Sequence, residues 1–191
     1  MWAVTLWEQG SPLLQWGVVV GASLIAACTD LAWRRIPNYL TFPLLGSGLI
    51  FAGSQAGLAG VADSLTACIV LAVPYILLFL FAQGGAGDAK LMGAIGSWLG
   101  LINGLAALAC VAVAGIVLAI MIAIIRKRTR EVSINVAGMT QGLFMTALTR
   151  RKFVGSLSPE TSAEPMLTMP YGLAICAGTC AAAVGVLLWQ A

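Results

Sequence analysis

An all-α membrane protein, a polytopic bundle of about six transmembrane helices, is the fold class that three features of the sequence predict. Of 191 residues, 60% are hydrophobic and only 9% charged, too little polar surface to clothe a soluble globule of this size. The apolar residues gather into six runs centred on Val20, Leu45, Val73, Ile95, Val117 and Val184. Each approaches the roughly 20 residues a crossing helix needs. The cations sort by loop: Arg34 and Arg35 follow the first run, Lys90 the third, and Arg126, Lys127, Arg128, Arg130, Arg150, Arg151 and Lys152 the fifth. Cytoplasmic loops are enriched in Lys and Arg, so this pattern predicts six crossings with both termini on the outer side, where Glu8 and Asp63 remain.

The first run carries Glu8 and no Lys or Arg in front of it, which favours a retained anchor over a cleaved export signal. Between the first and second runs, "CTDLAWRRIPNYLTFPL" (Cys28 to Leu44) ends one helix and opens the next. Pro37 suits a first helical turn, where a missing N–H is no loss, and Asn38 can hydrogen bond in the turn. Pro43 and Pro74 read as helix kinks, tolerated where neighbouring helices re-satisfy the backbone. The third run, Val70 to Ala82, is nearly all hydrocarbon and leads into "GGAGDAKLMGAIG". The helix that starts there looks short, because Gly100 to Gly104 reads as a turn. About 15 residues at ~1.5 Å each span roughly 23 Å, less than a core about 30 Å thick. The fifth run leads into a long basic loop over residues 126–168. Within it Val132, Val136, Met139, Leu143 and Leu148 are spaced nearly as one helical face between basic clusters. An interfacial helix and an ordinary solvated loop both fit this spacing.

Five acids have simple readings: Glu8 and Asp63 lie on the outer side, and Glu131, Glu160 and Glu164 lie in the basic loop. Asp30 and Asp88 differ. They adjoin hydrocarbon, and two complete crossings between them bring both to the cytoplasmic face. An ionisable group at such a depth is expensive unless paired or wet, and is functional by default. Gly84, Gly85 and Gly87 lie where the backbone must bend and where another chain can approach closely. Lys90 lies two residues beyond Asp88, on another side of the helix, and is expected to touch headgroups or Asp30.

The chain contains no histidine, which removes Ser-His-Asp and Cys-His catalysis and most zinc chemistry. Its five cysteines are scattered through apolar runs without a paired ligand spacing, so neither a zinc site nor a disulfide framework is expected. Two carboxylates at one membrane face need no other nucleophile. Mutual repulsion leaves one proton shared between them. The ionised member takes a proton from the attacking water and the protonated member donates to the scissile carbonyl.

These residues resemble the type IV prepilin peptidases, in the short form that accompanies Flp (Tad) pili. The family's GxGDxK motif is matched by Gly85, Gly87, Asp88 and Lys90, and its Asp…Arg-Ile-Pro-Asn motif by Asp30 with Arg35, Ile36, Pro37 and Asn38. The stretch "MPYGLAICAG" (Met169 to Gly178) is similar to the Pro-Tyr-Gly start of the family's last helix. The resemblance implies one integral-membrane peptidase domain over residues 1–191, in the bacterial inner membrane, cutting the basic leader from a prepilin at the cytoplasmic face. Asp30 and Asp88 would be the catalytic acids. Gly85, Gly87, Lys90, Arg35, Pro37 and Asn38 would bind substrate or support the site, and Pro170, Tyr171 and Gly172 would line the substrate groove. No large cytoplasmic domain separates the first two helices, so the methylation associated with that region in long-form relatives is not implied.

The expected partners are a prepilin, membrane lipids and the pilus-assembly machinery, with no nucleic acid, no cofactor and no metal. The sequence leaves the oligomeric state open. The rival reading is a transporter that uses the same two acids as a proton or cation site.

Overall fold

The computed structural model describes residues 12–82, 85–125 and 171–190. Four helices make up this part of the chain: α1 (Pro12–Trp33), α2 (Asn38–Ala82), α3 (Ala86–Ile125) and α4 (Tyr171–Gln190). All four are long and apolar enough to cross a membrane. The loop over residues 126–168, with its interfacial-helix reading, lies outside the described residues, as do Gly84 and Pro170.

The sequence predicts about six helices and the structure has four, because α2 and α3 each contain two of the apolar runs. Both are interrupted. In α2 the backbone leaves helical geometry at Ala56 (φ −134°, ψ 17°) and Gly57 (φ 60°, ψ −141°), and in α3 at Gly100 (φ 70°, ψ −177°). Glycine adopts such positive φ without the steric penalty of a Cβ. Pro43 and Pro74, read from sequence as kinks, are not where α2 departs from helical geometry. With no long loop at either break, helix resumes within one or two residues.

The chain reverses at both breaks. Gly60 packs on the backbone of Ala52, although eight residues of straight helix would hold them about 12 Å apart. In the second case the Ser64 hydroxyl donates to the Ser97 carbonyl (2.6 Å) and Gly104 lies beside Leu71. A straight α3 antiparallel to this part of α2 would carry Gly104 past Ser64 in the opposite direction. At Gly100 the released helical N–H of Leu101 donates to the Asp63 carboxylate at 3.2 Å, so an acid caps the new helix start where the helix dipole is positive.

The chain falls into two compact units, residues 1–118 with 170–191, and residues 119–169. Of the second unit the structure describes residues 119–125, which are helical. Within the first unit the packing surfaces are small residues in close backbone contact, the usual means of joining helices where lipid removes the hydrophobic drive. Gly96 lies on the Ala67 backbone, Gly93 on Cys68, and Gly178 on the Val111 backbone. The Trp98 indole N–H donates to the Leu44 carbonyl (2.8 Å) and the ring stacks on Phe51 at 5.1 Å. The Ser23 and Thr179 hydroxyls meet at 2.9 Å between α1 and α4. Large apolar side chains such as Ile50, Leu58, Ile69, Val113 and Leu188 point outward.

Gly96 tests this packing. A Cβ there would lie 2.7 Å from the Ala67 carbonyl oxygen and 3.1 Å from the Cys68 nitrogen, and backbone cannot rotate aside. Gly96→Ala is expected to lower stability by about 1–3 kcal/mol, read from denaturant titration in detergent. An unchanged midpoint would show that the contact relaxes freely.

Candidate active site

Asp30 lies in the last turn of α1. That helix stops four residues later, where the Arg34 N–H bonds the Asp30 carbonyl (2.8 Å) and Arg34 takes a left-handed φ of 49°. A left-handed residue is a common way to close a helix, though usually with glycine. Residues 34–37 then run without helix to α2. Pro37 precedes α2 instead of opening its first turn, and its carbonyl accepts the Leu40 N–H at 3.1 Å. Arg35 and Asn38 are exposed.

Asp88 enters from the other side, in the first turn of α3. Gly85 caps that turn through a 3.2 Å bond from the Asp88 N–H to its carbonyl, and the Asp88 carboxyl folds back over it. A Cβ on Gly85 would sit 2.8 Å from Asp88 Oδ2. Gly85 therefore has to be glycine for the carboxyl to keep this place. Gly87 has a different duty. A Cβ there would lie 3.0 Å from that of Ile36, so the missing side chain lets the segment after Asp30 lie on the turn that carries Asp88.

The third contributor is α4. The Gly172 N–H, at its first turn, donates to Asp30 Oδ2 at 2.9 Å, across 142 residues of sequence. Gly172 is buried and Tyr171 exposed.

Asp30 and Asp88 thus lie at the same end of the bundle, within coulombic range of each other. Asp88 is 9% exposed and Asp30 partly so. Two phenols, Tyr75 and Tyr171, also lie within coulombic range of Asp88. Tyr75 was not singled out from sequence. It is the one polar side chain in the apolar stretch over residues 70–82 and is 8% exposed. A lone hydroxyl in so apolar a run was the signal that could have found it.

Of the two neighbours expected for Lys90, headgroups and Asp30, the acid is not its partner. Its ammonium donates to neither Asp30 nor Asp88; it bonds Asn38 Oδ1 at 2.9 Å and lies 5.6 Å over the Phe42 ring. Lys90 sits about 200° around the helix from Asp88, facing the start of α2. Among the described residues no three His, Cys, Asp or Glu side chains gather as metal ligands would. A carboxylate pair of this kind can share one proton and so act as acid and base towards one water.

The chain is similar to several known proteins. The curated relatives include the prepilin leader peptidase/N-methyltransferases of Pectobacterium carotovorum subsp. carotovorum, 35% identical over 108 residues, and of Dickeya chrysanthemi, 33% identical over 106. Each match covers 50% of this chain and 36% of the relative. That of Neisseria gonorrhoeae is 28% identical over 109 residues, 53% of this chain and 38% of the relative. The matched part is thus little more than a third of these relatives' own length. No solved structure matches. Residues 17–124, which carry Asp30, Asp88 and the segments around them, match the model of the type IV leader peptidase family; the match covers more than half of the sequence, and the chain belongs to that family.

Proposed function

We propose that the protein is a membrane-embedded aspartic endopeptidase that removes the basic leader from prepilins of the Flp (Tad) type at the cytoplasmic face of the bacterial inner membrane. The observation that carries this reading is the meeting of two acids at one end of an apolar bundle. Asp30 is oriented by the Gly172 N–H and Asp88 is buried over a glycine turn. One carboxylate takes the proton of the attacking water while the other, protonated, donates to the peptide carbonyl. The roles then exchange as the amine leaves.

Six crossings accord with this reading. Undivided, α2 with its 45 residues would be about 68 Å long, more than twice the hydrocarbon thickness. Divided at Ala56–Gly57 and at Gly100, the helices would make six spans, with the acids on the side of Arg34, Arg35 and Lys90. Gly85 and Gly87 support the site by admitting the Asp88 carboxyl and Ile36, and Tyr171 stands where it can line the groove.

The test is to incubate the purified protein in lipid discs with a full-length Flp-type prepilin and to measure the product's mass. A single cut at the end of the basic leader, after a small residue, is expected. An intact precursor under conditions where the protein is folded would end the proposal.

A further inference from the structure

We infer that Lys90 is a positioning residue, a tether that fastens the segment following Asp30 to the turn that carries Asp88. The inference rests on the reading of these acids as a peptidase centre and adds how their spacing is set.

The chain that leaves the helix of Asp30 lies against the turn that carries Asp88. Arg34 still bonds back to Asp30 and the Pro37 carbonyl accepts from the first turn of α2, but residues 35 and 36 between them lie outside helix, so contacts from elsewhere help to fix their path. Two contacts from the first turns of α3 bear on that path. Ile36 lies on Gly87, in the space a side chain would occupy. Two residues on, the Lys90 ammonium bonds Asn38 Oδ1 at 2.9 Å and covers the Phe42 ring. Asn38 opens α2, and a neutral amide oxygen accepting from an ammonium makes a charge-assisted bond, stronger than a neutral one. The aromatic ring adds a second hold on the same cation. Gly87 and Lys90 thus bracket the segment, one by contact and one by hydrogen bond, while Asp88 between them faces the other way. Lys90 is exposed, which suits a clasp at the rim better than a participant in the chemistry.

The tether predicts a kinetic pattern that a substrate contact would not give. In Lys90→Met, kcat for prepilin cleavage should fall about ten- to a hundredfold, the scale of one hydrogen bond to a charged group, with KM changed less than about twofold. Asn38→Ala should fall by a similar factor. The double variant should be no slower than the worse single one, because both remove the same bond. Lys90→Arg, which keeps charge and donors, should recover most of the rate.

Hydrogen exchange supplies a readout independent of activity. Amides of residues 34–41 should exchange faster in Lys90→Met than in the parent, and close to the parental rate in Lys90→Arg. Unchanged exchange in Lys90→Met, single losses that multiply in the double variant, or a loss carried by KM would each overturn the tether. A parent protein that cleaves no prepilin would end the peptidase reading, while exchange would still decide whether Lys90 fastens the segment.

Discussion

Replacing Asp88 with asparagine is expected to lower prepilin cleavage by about a thousandfold or more, within the range that a positioned acid or base supplies. Asparagine has nearly the same shape, so the fold over Gly85 survives while the ability to take or give a proton is lost. Asp30→Asn should behave alike, since its amide can still face the Gly172 N–H through the oxygen. In the proposed mechanism the two acids act on one water as a unit, so the double variant should be no slower than either single one. Stability gives a second signature. Two acids within coulombic range of each other with one of them buried is a costly arrangement that the proposed chemistry would explain, and relieving it should leave the unfolding midpoint of Asp88→Asn equal to or above the parent's. Rates on a prepilin substrate and denaturant titration in detergent measure both effects. Full-rate cleavage by both single variants would remove the acids from the mechanism.

The acids were legible in the sequence because an ionised side chain beside a long apolar run is rare, so its presence alone raises a functional question. The glycines around Asp88 were legible as places of bending or close approach. Their separate duties were not: Gly85 clears space for a carboxyl in its own turn, and Gly87 for Ile36, some 50 residues earlier, whose approach only the fold reveals. Lys90 shows the same limit. From sequence its expected neighbours are headgroups or Asp30, but its ammonium bonds Asn38, and that partner depends on how α2 starts.

The fold was legible in its class and in most of its apolar runs, and less so in its joints. Gly100 fell inside a stretch read as a turn. The Ala56–Gly57 reversal was not singled out, since the residues before and after it form a nearly unbroken apolar and small-residue sequence. In a soluble protein a polar loop marks a hairpin; between two short-connected membrane helices one glycine with positive φ suffices, and composition hardly changes across it. Asp63 was read only as an acid on the outer side. Its carboxylate proves to accept the Leu101 N–H, one of the orphan donors that every helix start must satisfy.

A methyl group added at Gly172 should slow cleavage by about a hundredfold while leaving the protein folded. The new Cβ would stand 2.9 Å from Asp30 Cβ, 3.0 Å from Asp30 Oδ2 and 3.2 Å from Ala27 Cα, so either α4 withdraws from α1 or the Asp30 carboxyl turns away. Withdrawal is opposed along the length of α4. The Ser23–Thr179 hydroxyl bond holds it to α1 at 2.9 Å, and Gly178 sits on the Val111 backbone. Turning the carboxyl relieves the contact with Oδ2 but not the one with Asp30 Cβ, so a small shift of α4 must accompany it, and both movements disturb the bond from the Gly172 N–H that orients Asp30. A displacement of about 1 Å in a reacting group can cost a hundredfold in rate. Gly185→Ala is the matched control: it lies on the same helix, nothing stands within 4 Å of its added Cβ, and alanine favours helix over glycine by up to ~1 kcal/mol. That variant should cleave at the parental rate and be at least as stable. Equal rates for Gly172→Ala and the parent would mean that α4 does not place Asp30, and that its orientation must come from α1 and the substrate alone.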